Sequence, residues 1–236
     1  MALREKRRCV AARGEFSFVD WGAINISRLT ALKQMIARQT SAALDQIADI
    51  VANGGVIAFR TDTFYGLGAD PFNRRAVQAI KQLKGREDGK PILIVISDFD
   101  QVHRFIVEFS PAFTGLAKRF WPGPLTLIGR TNPDVPDEIT AGTKTVGVRL
   151  PNDDKVRALV RACGGALTAT SANPSHAAPA RDAPSVQEYF GDTIDLIVDG
   201  GEATSDQPST VVDVMSDEPK LIREGVIRWA QIHQAN

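Results

Sequence analysis

The sequence predicts a single α/β domain built on a twisted mixed sheet with flanking helices. Three observations carry that prediction. From residue 41 onward, short apolar runs of strand length alternate with stretches whose apolar residues recur at helical spacing. Gly and Pro punctuate the alternation, yet Pro122, Pro124, Pro133 and Pro136 fall in mid-chain without a linker-like shift in composition. The chain has 236 residues, 43% of them hydrophobic and 24% charged, which is enough to bury a real core in one large domain.

The elements follow in order. Leu44, Ile47, Ile50 and Val51 recur at helical spacing after Ser41, and Gly54-Gly55 stops that helix. Val56 to Phe59 is a buried strand that enters a tight loop over Thr63 to Gly68. Ala76, Val77, Ile80 and Leu83 share one face of a helix over 73–83, and Ile92 to Ile96 is the next strand. Helices are expected over 99–107, 111–120, 153–163 and 184–190, and strands over 125–129, 145–150, 166–170, 194–198, 210–214 and 220–223.

Charge separates the first 40 residues from the rest. Lysines and arginines total 28, as do aspartates and glutamates, but residues 1–40 hold eight cations against three acids. That surplus of five leaves the remainder five negative, which argues against a surface built throughout for nucleic acid. Residues 1–40 therefore read as a basic N-terminal extension, and 41–236 as the folded domain. Glu5, Glu15 and Asp20, and the lack of an apolar core, weigh against a targeting peptide. No apolar run reaches the roughly 18 residues of a spanning helix, so no membrane role is expected. Two cysteines, Cys9 and Cys163, give no disulfide framework and fit a cytoplasmic setting. His103, His176 and His233 lie far apart and show no metal-ligand spacing.

No standard phosphate loop, dinucleotide fingerprint, nucleophile elbow or metalloprotease helix occurs, so a nucleotide site would be assembled from scattered segments. Three qualify. Lys84 to Pro91 holds three cations and two glycines between a helix end and a strand start. It reads either as helix capping or as a loop that clamps an anion, with Arg forking onto phosphate oxygens and Lys supplying a compact charge. Thr168 to Ser175 places small hydroxyl and amide groups at a strand's carboxyl end, where α/β sheets bind ligands, although an Asx turn before Pro174 would look the same. Arg60 to Gly68 is dense in hydrogen-bonding groups just after a strand.

These segments also carry a resemblance. Thr61-Asp62-Thr63-Phe64-Tyr65-Gly66-Leu67-Gly68-Ala69-Asp70, Lys84-Gly85-Arg86, Trp121-Pro122-Gly123-Pro124-Leu125-Thr126, Val148-Arg149-Leu150-Pro151, Ser171-Ala172-Asn173, Ser209-Thr210-Val211-Val212-Asp213 and Ile222-Arg223-Glu224-Gly225 occur in the order of the YrdC family. The chain resembles that family's threonylcarbamoyl-adenylate synthases over about residues 41 to 229. The resemblance implies a YrdC-like fold with an open, concave, cationic cleft. It implies a reaction of L-threonine, bicarbonate and ATP that releases pyrophosphate, after which a separate transferase moves the threonylcarbamoyl group to tRNA. Lys84 and Arg86 then become the catalytic pair and, with Ser171 and Asn173, the nucleotide-binding set. Arg149, Ser209 and Arg223 become further phosphate or adenylate contacts, and Thr61, Thr63 and Tyr65 part of a threonine pocket. Magnesium would arrive with ATP, although no carboxylate pair identifies ligands for it.

Three positions depart from the family pattern: Arg60 replaces a usual proline, His176 a usual glycine, and Pro174 fills a variable position. The chain ends eleven residues after Gly225, which implies the single-domain form. Two other functions compete. One is a related carbamoyl-adenylate-forming activity, as in hydrogenase-maturation proteins with such a domain. The other is an RNA-binding module whose cationic cleft attracts RNA without catalysis.

Overall fold

The structure is a computed structural model that describes residues 36–85 and 90–233. Its strands form two mixed sheets. The first contains β1 (Ile36–Arg38), β2 (Ile57–Arg60), β3 (Tyr65–Gly68), β8 (Thr170–Ser171) and β9 (Leu196–Asp199), in the order β1-β9-β2-β3-β8. The second contains β4 (Ile94–Ile96), β5 (Leu125–Arg130), β6 (Thr145–Arg149), β7 (Ala166–Thr168), β10 (Thr210–Asp213) and β11 (Lys220–Arg223), in the order β11-β10-β5-β6-β4-β7. The α/β class is as expected, but the strands divide between two sheets. The chain from Ala166 to Ser171 belongs to both: β7 pairs antiparallel with β4, and two residues later β8 pairs antiparallel with β3.

Among the described residues, seven α-helices flank the sheets: α1 (Leu44–Ala52), α2 (Arg74–Leu83), α3 (Pro111–Phe120), α4 (Asp137–Thr140), α5 (Asp154–Ala162), α6 (Ala183–Phe190) and α7 (Trp229–His233). Local chemistry starts the longer ones. Asn73 caps α2 by accepting from Ala76 N–H at 3.2 Å, Ser110 caps α3 by accepting from Phe113 N–H at 3.0 Å, and Asp153 caps α5 through Lys155 and Val156 N–H. Two apolar clusters hold the layers together. Ile47 and Val51 of α1 and Val156, Leu159 and Val160 of α5 pack on Ile57 and Phe59, while Ala58, on the opposite face of β2, joins the larger cluster that spans both sheets.

Several expectations shift. Residues 65–68 form a strand, not a loop: β3 pairs antiparallel with β2 in a hairpin that turns over Thr61–Phe64. Its glycines hide the strand signal. A Cβ on Gly68 would stand 2.6 Å from the Phe59 ring, so the strand needs glycine there for close approach. The expected helix over 99–107 tightens into a 3-10 helix over Phe99–Arg104, because Ile106 bridges to Thr131 and Val107 N–H reaches Arg130 O, drawing the tail toward β5. Residues 36–38, within the stretch assigned to the extension, form β1, parallel to β9. The other residues up to 35 and Arg86 to Gly89 lie outside the described residues.

Candidate active site

Both sheets contribute to one cleft. Its walls come from the β2–β3 hairpin (Thr61, Thr63, Phe64, Tyr65), from β8 (Ser171), from Pro91 and Leu93 leading into β4, and from Arg149, Ser209 and Arg223 at strand ends of the second sheet. Seven residues named from sequence thus meet here: Thr61, Thr63, Tyr65, Arg149, Ser171, Ser209 and Arg223.

The hairpin turn fixes its own polar groups. Thr61 Oγ1 donates to Phe64 O at 2.8 Å and accepts from Thr63 N–H at 3.2 Å, so its hydroxyl proton is spent closing the turn. Thr63 Oγ1 accepts from Arg149 Nη1 at 3.0 Å. Arg149 also pairs with Asp62 at 3.3 Å, both side chains being nearly buried, and Asp62 accepts in addition from Asn152 N–H at 3.3 Å. Asp62 therefore holds Arg149 against the cleft wall.

Tyr65 points differently. Its hydroxyl donates to Gly201 O at 2.8 Å and accepts from Gly200 N–H at 3.2 Å, so the hydroxyl anchors the loop after β9. Burial, reinforced by the Asp199 charge, pushes that hydroxyl up to about 12.

Arg223 lies opposite in charge economy to Arg149. Its Nε and Nη2 donate to Ser209 O at 3.2 and 2.9 Å, and Nη2 reaches Ser209 Oγ at 3.2 Å. Among the described residues no carboxylate comes within ion-pair distance of it. Although the residue keeps an exposed surface, the protein around its guanidinium and the Arg149 charge hold its pKa below the usual arginine value. It stays protonated at neutral pH. Two cations thus share one cleft, and among the described residues Asp62, paired with Arg149, is the one carboxylate that pairs with either, an arrangement that an anionic ligand would complete.

Lys84 and Asn173 are not on the cleft wall. Lys84 follows α2 and is 4% exposed; its ammonium donates to Asn173 O at 2.8 Å, Asn173 Oδ1 at 3.3 Å, and Ser171 O and Oγ. In return, Ser175 donates to Lys84 O from its N–H at 3.2 Å and its hydroxyl at 2.7 Å. The end of α2 and the Ser171–Ser175 loop are therefore tied in both directions. Asn173 Nδ2 donates to Ala177 O at 2.6 Å, closing the same loop. Arg86 lies outside the described residues.

The departures have physical readings. His176 has φ +72°, the left-handed conformation that favours glycine, which accounts for a usual glycine there. Arg60 Nη2 pairs with Asp153 at 2.5 Å, replacing a rigid proline with a tie to the α5 cap. Cys163, half-buried in apolar surroundings, has its thiol pushed up to about 12 by burial and is no nucleophile at neutral pH. Sequence reasoning missed Asp62 as the partner of Arg149 and the walls Pro91 and Leu93; a lone aspartate two residues into a loop carries no signal of what it will pair with.

The fold and the cleft together define the class. The chain belongs to the Sua5/YciO/YrdC family, whose profile, described as "Telomere recombination", matches residues 49–225. More particularly, it is similar to the threonylcarbamoyl-AMP synthase of Marinobacter nauticus, 39% identical over 189 residues that cover 79% of this chain and 94% of the relative. The threonylcarbamoyl-AMP synthase of Pyrococcus abyssi is 37% identical over 187 residues, 79% of this chain but 55% of the archaeal one. The crystal structure of P. abyssi Sua5 complexed with L-threonine superposes with a TM-score of 0.81 at 35% identity, covering 85% of this chain and 60% of that one.

Proposed function

We propose that this chain forms threonylcarbamoyl-AMP from L-threonine, bicarbonate and ATP, releasing pyrophosphate for use of the product in tRNA modification. The observation that carries this reading is the cleft itself, in which Arg149 and Arg223 face a ligand space with Asp62 as the one carboxylate paired to either of them among the described residues. The relatives supply the chemistry and the cleft supplies suitable groups.

The unprotonated amine of threonine adds to the bicarbonate carbon, water leaves, and a carbamate oxygen then attacks the α-phosphorus of ATP as pyrophosphate departs. No covalent enzyme intermediate is needed. Positioning the three reactants and neutralising phosphate charge supply the rate, which suits a site rich in hydroxyls and cations. In this reading Thr61 and Thr63 shape the threonine pocket, with Tyr65 supporting it from behind through the Gly200–Gly201 loop. Arg149, Ser171, Ser209 and Arg223 meet anionic oxygens, and Lys84 and Asn173 hold the loop that presents Ser171. Arg86 remains the catalytic candidate that the motif Lys84-Gly85-Arg86 names. Magnesium enters as part of the ATP substrate; among the described residues no three His, Cys, Asp or Glu stand close enough together to hold an ion of the protein's own.

We further assign residues 41–236, with β1, to catalysis, and a separate transferase to the step on tRNA. A cytoplasmic site of action accords with the free Cys163, and among the described residues no helix is long and apolar enough to cross a membrane. Weak RNA binding is the competing role. It would fade steeply with added salt, whereas product formation needs no RNA. The test is pyrophosphate release from ATP with threonine and bicarbonate, each omitted in turn. Release only when all three are present is expected; release without threonine, or none at all, contradicts the proposal.

A further inference from the structure

The segment Trp121 to Thr126 is the one matched motif with no residue placed in the site as described so far. Thr126 lies on β5, is fully buried, and faces away from the core-facing Leu125 and Leu127. Its methyl rests against Gly147 on β6, where an added Cβ would stand 3.1 Å away, and this leaves the hydroxyl turned toward Ser209. Thr126 Oγ1 and Ser209 Oγ are 3.0 Å apart, and among the described residues Ser209 Oγ is the one hydrogen-bond partner of Thr126 Oγ1. The pairing is built in, because β10 runs parallel to β5 with Val211 opposite Thr126, so Ser209, two residues before Val211, enters on the face that Thr126 presents.

Proton accounting gives this contact a direction. A buried hydroxyl proton needs an acceptor, and the one available to Thr126 is Ser209 Oγ. Arg223 Nη2 donates to the same oxygen at 3.2 Å. A serine oxygen has two acceptor positions and one proton, so with both positions filled its own O–H points along the remaining direction, toward the cleft it lines.

We infer that Thr126 is a positioning residue: with Arg223 it saturates the acceptor positions of Ser209, so that the Ser209 hydroxyl is held as a donor to an anionic oxygen of the bound substrate. This rests on the synthase reading above. Two such oxygens are available, the carboxylate of threonine and a phosphate of ATP, and kinetics separates them.

The experiment measures kcat and both KM values by pyrophosphate release for the full chain and for Thr126→Val, Thr126→Ser, Ser209→Ala and Thr126→Val/Ser209→Ala, with thermal midpoints alongside. Valine keeps the shape of Thr126 and removes the proton. Thr126→Val is expected to unfold at the wild-type temperature and to lose roughly tenfold in kcat/KM, the scale of one hydrogen bond. Thr126→Ser should keep most of the activity, and the valine change should cost nothing further when Ser209 is already alanine. A loss expressed in the threonine KM assigns the carboxylate, and one in the ATP KM assigns the phosphate. Wild-type kinetics in Thr126→Val, equal damage in the serine and valine variants, or additive losses in the double variant would each overturn the inference while leaving the synthase reading intact. A wild-type chain that releases no pyrophosphate overturns both, and does so before any variant is made.

Discussion

Asp62 and Arg149 form a nearly buried pair at 3.3 Å, and Arg149 lines the cleft. Removing one partner of such a pair strands the other charge. Asp62→Ala is therefore expected to destabilise the ligand-free protein by about 3 kcal/mol, and ATP should raise its melting temperature more than it raises that of the wild type, since phosphate would replace the lost counter-charge. Equal ligand-induced shifts in the two proteins would show that Arg149 does not meet the nucleotide. Tyr65 gives a pH signature. Its hydroxyl ordinarily titrates near 10.0 and in the folded protein is pushed up to about 12, so above pH 10 the unfolded chain loses this proton first. Its contribution to stability is complete below the unfolded value and is lost as pH rises from there through the folded one. Denaturant midpoints measured over that window should fall less steeply for Tyr65→Phe than for wild type; identical slopes would contradict the burial of this hydroxyl. The sequence marked Thr61, Thr63 and Tyr65 as one polar group, and could not tell that Tyr65 turns to the Gly200–Gly201 loop, because a side chain's direction depends on which strand pairs with which.

At the level of elements, the long regular ones were legible and the short ones were not. Helices α2, α3, α5 and α6 and strand β5 announce themselves by apolar period and by caps such as Asn73, Ser110 and Asp153. By contrast, β1, β3, β8, α4 and α7 have two to five residues each, too few for a period, and their stability comes from partners distant in sequence. The link between α2 and β8 is of this kind. Lys84 reads in sequence as a helix cap or a phosphate clamp; in the fold its ammonium binds the Ser171–Asn173 loop. Lys84→Met should leave the buried carbonyls of Ser171 and Asn173 short of a donor, at a cost of about 2 kcal/mol, and should speed amide exchange at Ser175, whose N–H is bonded to Lys84 O. A variant of wild-type stability with unchanged exchange at Ser175 would show that the tie is immaterial.

Across the whole molecule, the division into two sheets creates the site. The β2–β3 hairpin and β8 bring threonine hydroxyls and Ser171 from one side, and β6, β10 and β11 bring Arg149, Ser209 and Arg223 from the other. Sequence order alone suggested one sheet because nothing in the run from Ala166 to Ser171 marks the change of partners after Thr168. The first sheet has β1 at its edge. A truncation that starts at residue 34 keeps β1 beside β9 and is expected to retain full product formation, whereas one that starts at residue 41 removes this edge strand and should melt at a lower temperature. Equal melting temperatures would show that β1 adds nothing. The proposed reaction joins three substrates into one adenylate in this cleft. The most direct measurement supplies ATP, L-threonine and carbon-13 bicarbonate and reads the product by mass spectrometry. Threonylcarbamoyl-AMP carrying the single labelled carbon, formed together with pyrophosphate, is the expected product; ATP consumption without incorporation of that carbon into an adenylate would contradict the proposed reaction.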